Sequence, residues 1–512
     1  MFSSPDSQLE TAQADADIST ARPAFPLAFY AALIVALLAA RAIATLILPV
    51  YDDAFITYRY ARNLAGGQGF VYHPREWVLG ATCPAFGVLA ALFYRLGLQL
   101  PSAIVTLNIL CDAAILALTC RILASRSAAQ GALTALLFGF FFAISPILAR
   151  ICVGGMEMNL FLLGSLGAIL LFHRGAKIPA IALAALCYFL RPEGVLLVVI
   201  LSALELFSTR RLLALRLPLV AAAIWVPLLL LIHRFYGHIL PQSVTAKSHA
   251  VNRSVLGTAK SLIIPDAVCL LLLPLTLWGM VAFLREKSVR EAGFLRTLLL
   301  WYGAYLCAYL LARPQIWSWY AEPIQFVQIV FAALGAADLI ARWPLLRKSF
   351  FRQSAPPLWM GLAPGVLAVA FWLLVLGKSG PSGTTRYVYA PLQRWGQSAA
   401  IRRSSILAED IGAVGFYSNA YIYDTAGLVW PAALRYKSLD AIIKAHRPDY
   451  LFLNADRDTL KMMAGAGLNG TYQPVERFSI NGETNPQLDA KRLPTTWKQD
   501  YVLFKRRREP GK

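Results

Sequence analysis

The sequence predicts an all-α polytopic membrane bundle of about eleven transmembrane helices, followed by a C-terminal extracytoplasmic α/β domain. Three observations support this fold class. Hydrophobic residues make up 58% of the 512 residues and charged residues only 15%, and the mean hydropathy of +0.55 lies far above that of soluble proteins. Apolar runs of about twenty residues, each long enough to cross a bilayer, recur between residues 26 and 377. Beyond residue 377 the sequence becomes mixed polar, with strand-like runs at Ser405–Ala408, Tyr421–Tyr423, Tyr450–Leu453 and Tyr501–Phe504 and a helical segment at Ser438–Ala445.

The loops between the apolar runs set the orientation of the chain. Crossings are predicted at 27–48, 101–120, 130–148, 157–172, 178–190, 194–207, 217–235, 263–284, 297–312, 323–341 and 357–377. With the N-terminus inside, every cytoplasmic loop carries Lys or Arg, as the positive-inside rule requires. The chain therefore divides into a cytoplasmic tail (1–26), a membrane domain (27–377) with an outer loop (49–100), and an extracytoplasmic domain (378–512).

One apolar segment, Thr82 to Leu98, does not fit this register as a crossing. Counting it as a span would place Arg121 and Arg126 outside and invert every later loop. We therefore predict an interfacial helix on the outer face.

Composition excludes several classes of function. The formal net charge is +20, but Lys and Arg fall mostly in short loops that orient membrane spans, so we exclude nucleic-acid binding. The seven cysteines form no CxxC pair, which argues against a disulfide framework or a zinc site. No cofactor is predicted; a divalent cation is chemically compatible with one acidic pair, but that pair alone does not indicate a metal site. Without an ATP-binding motif, chemical energy has to arrive in an activated, lipid-linked substrate.

Two adjacent carboxylates, Asp52 and Asp53, follow the first crossing and open a short amphipathic helix outside the membrane. Such a pair has a structural interpretation as an N-cap and a helix-dipole partner. Because adjacent side chains on a helix do not share a face, we expect one carboxylate to point into a site and the other to hold the loop. A carboxylate at the water boundary above a lipid-facing groove suits general-base catalysis on a sugar hydroxyl.

Other predicted outer loops carry groups that complement the acidic pair. Cations suited to a lipid phosphate are, in order of preference, Lys247, Arg313 and Arg191. Each of these cations also fits a structural role as an anchor at the membrane surface. The predicted substrate-binding residues are Glu157, Glu193, His249, Trp319 and Tyr320. The two aromatic residues fit sugar stacking, but they also fit the aromatic belt of a membrane protein.

The run from Asp52 to Leu64, DDAFITYRYARNL, with GQG beyond it, resembles the first extracytoplasmic loop of GT-C glycosyltransferases. It is most similar to the bacterial branch that includes the terminal arabinofuranosyltransferase of mycobacterial cell walls. More distantly it resembles the protein O-mannosyltransferases and the lipid A aminoarabinose transferase. The likeness spans most of the chain, because it extends to Gly155-Met156-Glu157, Arg191-Pro192-Glu193-Gly194, the loop from Tyr236 to Lys247, and the segment from Asp410 to Leu428.

The resemblance implies a GT-C helical bundle with two juxtamembrane helices in the first outer loop. It also implies transfer of a sugar, usually with inversion, from a polyprenyl-phosphate donor to an acceptor hydroxyl. The acidic pair of the family contains the base, so the resemblance assigns catalysis to Asp52 and Asp53. This sequence has Asp53 where the mannosyltransferase relatives have Glu, and which Asp is the base stays open.

The predicted function is sugar transfer in cell-envelope glycan assembly, on the outer face of a bacterial cytoplasmic (inner) membrane. Its predicted partners are a polyprenyl-phosphate-linked sugar donor, a glycan, lipid or protein acceptor, and the lipid bilayer. Two alternatives are a lipid-linked sugar transporter or flippase, and a non-catalytic membrane scaffold. Transporters tend to have internal repeats and polar groups near the bilayer midplane, whereas here no repeat is seen and the polar groups collect at the outer boundary. The acidic pair argues against a scaffold.

Overall fold

The structure is a computed structural model that describes residues 27–125, 128–210, 212–248, 254–285, 292–343, 358–487 and 500–507. Two predictions, the cytoplasmic tail 1–26 and a substrate contact at His249, lie outside these residues. The membrane part contains the helices α1 (Leu27–Ile47), α2 (Asp52–Ala65), α3 (Pro84–Arg95), α4 (Leu100–Ala124), α5 (Ala128–Ile144), α6 (Pro146–Val153), α7 (Met158–His173), α8 (Lys177–Cys187), α9 (Gly194–Thr209), α10 (Arg216–Tyr236), α11 (Gln242–Ser248), α12 (Val255–Ile263), α13 (Ala267–Arg285), α14 (Ala292–Ala312), α15 (Glu322–Arg342) and α16 (Leu358–Ser379).

Helices long and apolar enough to cross a membrane dominate this part of the chain. Among the described residues seven qualify, and α5 with α6 would add an eighth if they form one broken span. The other predicted crossings coincide with the shorter apolar helices α7, α8 and α9. The predicted fold class, a polytopic helical bundle with a C-terminal α/β domain, is confirmed.

The break between α5 and α6 has a local cause. Pro146 occupies the first turn of α6, where its missing N–H costs nothing, and the Ser145 hydroxyl accepts a hydrogen bond from the Leu148 amide. The two helices therefore meet at 61° instead of continuing as one. This bend turns α6 towards the residues that follow α1, where the backbone amide of Tyr51 donates to the carbonyl of Gly154.

Two glycines bring α13 and α15 into backbone contact. A Cβ atom on Gly279 would lie 1.9 Å from the carbonyl oxygen of Phe331, and one on Gly335 would lie 2.1 Å from that of Leu275. Small residues at a helix crossing allow this approach, which increases van der Waals contact between membrane helices.

Replacing Gly279 by Ala is expected to lower the thermal midpoint, because the added methyl group forces these helices apart at a cost of about 1–3 kcal/mol. The matched control is Gly303→Ala in α14, since a Cβ atom there meets nothing within 4 Å. Thermal denaturation in detergent, followed by intrinsic fluorescence, compares the two variants. Equal midpoints would contradict the close crossing.

Helices α2 and α3 pack against each other, and α3 also packs against α4 of the bundle. Helix α3 lies within the segment Thr82 to Leu98 and has 12 residues. At 1.5 Å per residue it is about 18 Å long, too short for the hydrocarbon core of a bilayer. Its length therefore suits the predicted interfacial position better than a crossing.

The C-terminal domain is built on a five-stranded sheet of order β2-β1-β3-β5-β4. The strands are β1 (Ser405–Ala408), β2 (Tyr421–Asp424), β3 (Tyr450–Asn454), β4 (Tyr472–Ser479) and β5 (Asp500–Arg506), and the helices are α17 (Ala390–Gly396), α18 (Ala399–Arg402), α19 (Gly412–Ser418), α20 (Leu439–His446) and α21 (Arg457–Gly465). Strand β1 pairs in parallel with β2 and β3, while β5 runs antiparallel to β3 and β4. The sequence predicted four of these strands and α20 but not β4, where Pro474 and a bulge interrupt the ladder.

Candidate active site

The carboxylate of Asp52 binds the first turn of α19 in the C-terminal domain. Its two oxygens accept hydrogen bonds from the backbone amides of Gly412 at 2.7 Å and Ala413 at 2.8 Å. The glycine is required for this approach, because a Cβ atom at position 412 would lie 1.8 Å from the backbone oxygen of Asp52. Amides at a helix start have no partner within the helix, so a carboxylate there is stabilised by hydrogen bonds and by the helix dipole.

Two arginines of α2 hold the other end of α19. The guanidinium group of Arg59 is buried and donates to the carbonyl oxygens of Gly415 at 3.0 Å and Ala420 at 2.7 Å. Arg62 donates to the carbonyl of Phe416 at 2.6 Å. Helix α2 thus places the Asp52 carboxyl group at the start of α19 and two arginine side chains near its end, where a helix dipole favours positive charge.

A third carboxylate, Asp410, joins the acidic pair from the carboxyl end of β1. It accepts a hydrogen bond from the hydroxyl of Tyr501 at 2.6 Å. Strand β1 lies between β2 and β3, so the chain leaves it at the point where the strand order reverses, and such switch points commonly form ligand sites in open α/β sheets. Burial and the neighbouring charge of Asp410 raise the pKa of Asp52 to about 8, against the effect of the two amide donors.

Aromatic residues and one arginine surround the start of α2. The hydroxyl of Tyr51 lies 2.7 Å from that of Ser318, and its ring packs edge-on against Trp319 with centroids 5.0 Å apart. The exposed guanidinium group of Arg150, on α6, lies 6.0 Å from the centre of the Tyr51 ring. Trp319 therefore lies beside the acidic pair, and Arg150 adds a cation there that sequence reasoning did not select.

Arg191 is the centre of a cluster with Glu157, Glu193 and Tyr320, in which Arg191 and Glu157 are buried and the other two are half-buried. Arg191 donates to Glu157 at 3.0 Å and to Glu193 at 2.9 Å, and its guanidinium group stacks on the ring of Tyr320 at 4.8 Å. Tyr309 donates a further hydrogen bond to Glu193. Because Arg191 already serves two carboxylates, it is less suited to a lipid phosphate than an exposed cation is.

The other two predicted phosphate ligands lie in different settings. Arg313 is exposed directly after α14 and has a left-handed backbone with φ of 44°. Lys247 lies near the end of α11, whose first residue, Gln242, donates from its backbone amide to Leu79 and from its side chain to Gly427. These bonds attach α11 to both the first outer loop and the C-terminal domain.

The structure brings Asp52, Asp53 and Trp319 together, and the rings of Trp319 and Tyr320 at 5.9 Å connect them to the Arg191 cluster. Sequence reasoning did not select Asp410, Tyr501 and Arg150 as site residues. Two signals were available: Asp410 follows a predicted strand, and Arg150 lies in a predicted outer loop, where basic residues are uncommon.

Among the residues that the structure describes, no group of three or more His, Cys, Asp or Glu side chains is arranged to hold a metal ion. The assignment of these site residues stays a prediction.

Comparison with known proteins places the fold. A family model described as "Domain of unknown function (DUF8728)" matches residues 384–504. No curated protein matches the sequence. ArnT from Cupriavidus metallidurans bound to undecaprenyl phosphate is similar in structure, with a TM-score of 0.58, 13% identity, and 92% of this chain and 97% of that chain covered. Its apo state gives a TM-score of 0.57 at 13% identity, with 92% and 96% covered.

A second similar structure is the oligosaccharyltransferase of Archaeoglobus fulgidus in complex with Zn and sulfate. Its TM-score is 0.52 at 13% identity, with 92% of this chain and 74% of that chain covered. At such identities the likeness concerns the fold and not the substrate. Both proteins are GT-C enzymes, and the alignments include nearly all of the present chain. The chain therefore has the polytopic membrane fold of the GT-C glycosyltransferases.

Proposed function

We propose that this protein is an integral membrane glycosyltransferase that moves a sugar from a polyprenyl-phosphate donor to an acceptor hydroxyl, with inversion, on the outer face of a bacterial inner membrane. The observation that carries the proposal is the convergence of Asp52, Asp53 and Asp410 at the junction of the membrane bundle and the C-terminal domain. The GT-C fold and the likeness to a structure that holds undecaprenyl phosphate support the choice of donor.

The two adjacent carboxylates have different roles in this proposal. Asp52 is a positioning residue, because both of its oxygens accept amide hydrogen bonds from α19. Asp53 is the general base. It takes the proton of the acceptor hydroxyl as that oxygen bonds to the anomeric carbon, and the bond from this carbon to the phosphate oxygen breaks with its electron pair leaving on the phosphate.

Cations at the outer face stabilise the leaving phosphate. Lys247, near the end of α11, and Arg313, directly after α14, are proposed for this role. Arg150 is added because it is exposed beside Tyr51. Fixed positive charge at the position where negative charge develops lowers the barrier to bond breaking. Arg191 instead holds Glu157, Glu193 and Tyr320 in place, and Trp319 and Tyr320 offer aromatic faces to the sugar.

The test is a transfer assay with purified protein, a panel of radiolabelled polyprenyl-phosphate sugars and membrane-extracted acceptors. We expect one sugar to reach the acceptor fraction with wild-type protein and none with the double variant Asp52→Asn, Asp53→Asn. The matched control is Asp458→Asn, which changes a carboxylate in the C-terminal domain whose side chain is 85% exposed. Absence of transfer from every donor, with suitable acceptors shown to be present, would contradict the proposal.

A further inference from the structure

A group of aromatic side chains lies at the edge strand β2 of the C-terminal sheet. Strand β2 is an edge strand, and Tyr421 and Tyr423 project from the same face of it, both half-buried. The ring centroids of these two tyrosines lie 5.1 Å apart. Half-buried rings that lie together on one face of an edge strand form a patch of the kind that marks a binding surface.

The row continues beyond β2. The ring of His446 lies 4.9 Å from that of Tyr423, and its Nε2 atom lies 2.7 Å from the hydroxyl of Tyr436. His446 and Tyr436 are also half-buried. We call Tyr421, Tyr423, His446 and Tyr436 the aromatic row.

Two buried rings fix the aromatic row from behind. His73 stacks on Tyr421 at 4.3 Å with an interplanar angle of 14°, and Trp430 packs edge-on against Tyr423 at 5.1 Å. Both rings are more than nine-tenths buried. Because these contacts restrict the tyrosines before any ligand arrives, binding to the row would cost little side-chain entropy.

The edge of β2 is not open to another strand. The backbone amide of Ile422 donates to Nε2 of His73 at 3.0 Å. The other ring nitrogen, Nδ1, therefore carries the proton and donates to Glu76 at 3.2 Å. A peptide that added a strand here would need this amide. The row therefore offers aromatic faces to a ligand while its backbone edge is closed.

Carboxylates lie beside the aromatic faces. The side chains of Glu76 and Asp449 are 40% and 41% exposed, although Glu76 already accepts from His73 and Asp449 from Ser405 and Arg506. Burial and these two carboxylates raise the pKa of Tyr423. Sugars have apolar C–H faces that pack on aromatic rings and hydroxyl groups that donate to carboxylates. The combination of rigid half-buried rings and flanking acceptors matches that chemistry better than it matches a purely apolar ligand.

One end of the aromatic row is connected to the candidate active site through His73, which stacks on Tyr421. His73 follows Tyr72, whose hydroxyl donates to the carbonyl of Ile411 at 2.6 Å. Ile411 directly precedes Gly412, which donates to Asp52. One end of the row is thus joined through a few contacts to the carboxylates that the proposed reaction uses.

We propose that the aromatic row binds a carbohydrate chain and holds the acceptor, so that the acceptor of this protein is a glycan of several sugars. The identification of this glycan as the acceptor rests on the proposed function. Binding of the glycan to the aromatic row does not depend on sugar transfer. Its ligand class is an uncharged oligosaccharide whose rings stack on Tyr421, Tyr423 and Tyr436.

The test is isothermal titration calorimetry on the full-length protein in detergent, without donor, using linear hexasaccharides of mannose, arabinofuranose and glucose. We expect at least one to bind the wild type and to bind Tyr423→Leu about tenfold more weakly, because leucine keeps much of the volume but loses the aromatic face. Tyr423→Phe keeps the ring and should retain affinity within about threefold. The matched control is Tyr387→Leu, which changes another tyrosine, 37% exposed, outside the row.

Equal affinity of wild type and Tyr423→Leu, or no binding of any hexasaccharide, would overturn the inference. Transfer assays separate its failure from that of the proposed function. If the protein transfers a sugar onto a glycan acceptor and Tyr423→Leu leaves the KM for that acceptor unchanged, the inference about the aromatic row is overturned. The same result would support the proposed glycosyltransferase function. Binding that needs Tyr423, without transfer from any polyprenyl-phosphate sugar, would support the aromatic row and contradict the proposed function.

Discussion

Replacing Asp53 by Asn is expected to lower kcat by about 10²–10⁴-fold and to leave the thermal midpoint unchanged, because the amide cannot accept the acceptor proton. The side chain keeps its size, so the KM for the donor should stay within about threefold of the wild-type value. Initial rates with the radiolabelled donor, together with thermal denaturation of the same preparation, measure both effects.

Asp52→Asn is the matched variant, because it changes the adjacent residue in the same way. One oxygen becomes an amide group that faces a backbone N–H of α19, so we expect a loss of about 1–3 kcal/mol in stability together with reduced activity. The roles would be reversed if Asp52→Asn lost all activity at an unchanged midpoint while Asp53→Asn stayed active.

Replacing Arg59 by Leu is expected to destabilise the protein by about 3–5 kcal/mol, because each buried carbonyl oxygen left without a hydrogen bond costs about 1–3 kcal/mol. The guanidinium group donates to Gly415, Ala420 and Tyr72, and these buried carbonyl oxygens would lose their partner. The midpoint of thermal denaturation and the rate of proteolysis within the C-terminal domain report the effect.

The control for Arg59 is Arg403→Leu, since Arg403 is exposed in the same C-terminal domain. Surface substitutions of this kind usually change stability by about 0.5 kcal/mol or less. A midpoint for Arg59→Leu equal to that of Arg403→Leu would show that α2 does not hold α19 in the way described.

The membrane helices were predictable because each is encoded by one continuous apolar run. The acidic pair was also visible, since its place after a crossing and before an amphipathic helix is a local property. The division of roles between Asp52 and Asp53 was expected in outline from helix geometry. Only the structure identifies Asp52 as the carboxylate that binds α19, because its partners lie some 360 residues away in sequence.

Contacts between distant segments account for what the sequence could not predict. Asp410 and Tyr501 meet across 91 residues, and no periodicity or spacing connects them. Arg191 was selected for its charge, but whether a cation is available to a ligand depends on neighbours such as Glu157, which directly precedes α7 and lies 34 residues away in sequence. Strand β4 was missed because Pro474 and its bulge break the alternation that identifies a strand.

The position of Tyr501 on β5 has a consequence for the biosynthesis of the protein. Asp52 lies near the start of the chain, whereas its neighbour Asp410 is held by a hydroxyl from the last strand described. In the proposed topology, the acidic pair is therefore translocated long before its surroundings have been synthesised. We expect nascent chains in the membrane to lack the proposed transfer activity until β5 has joined the sheet.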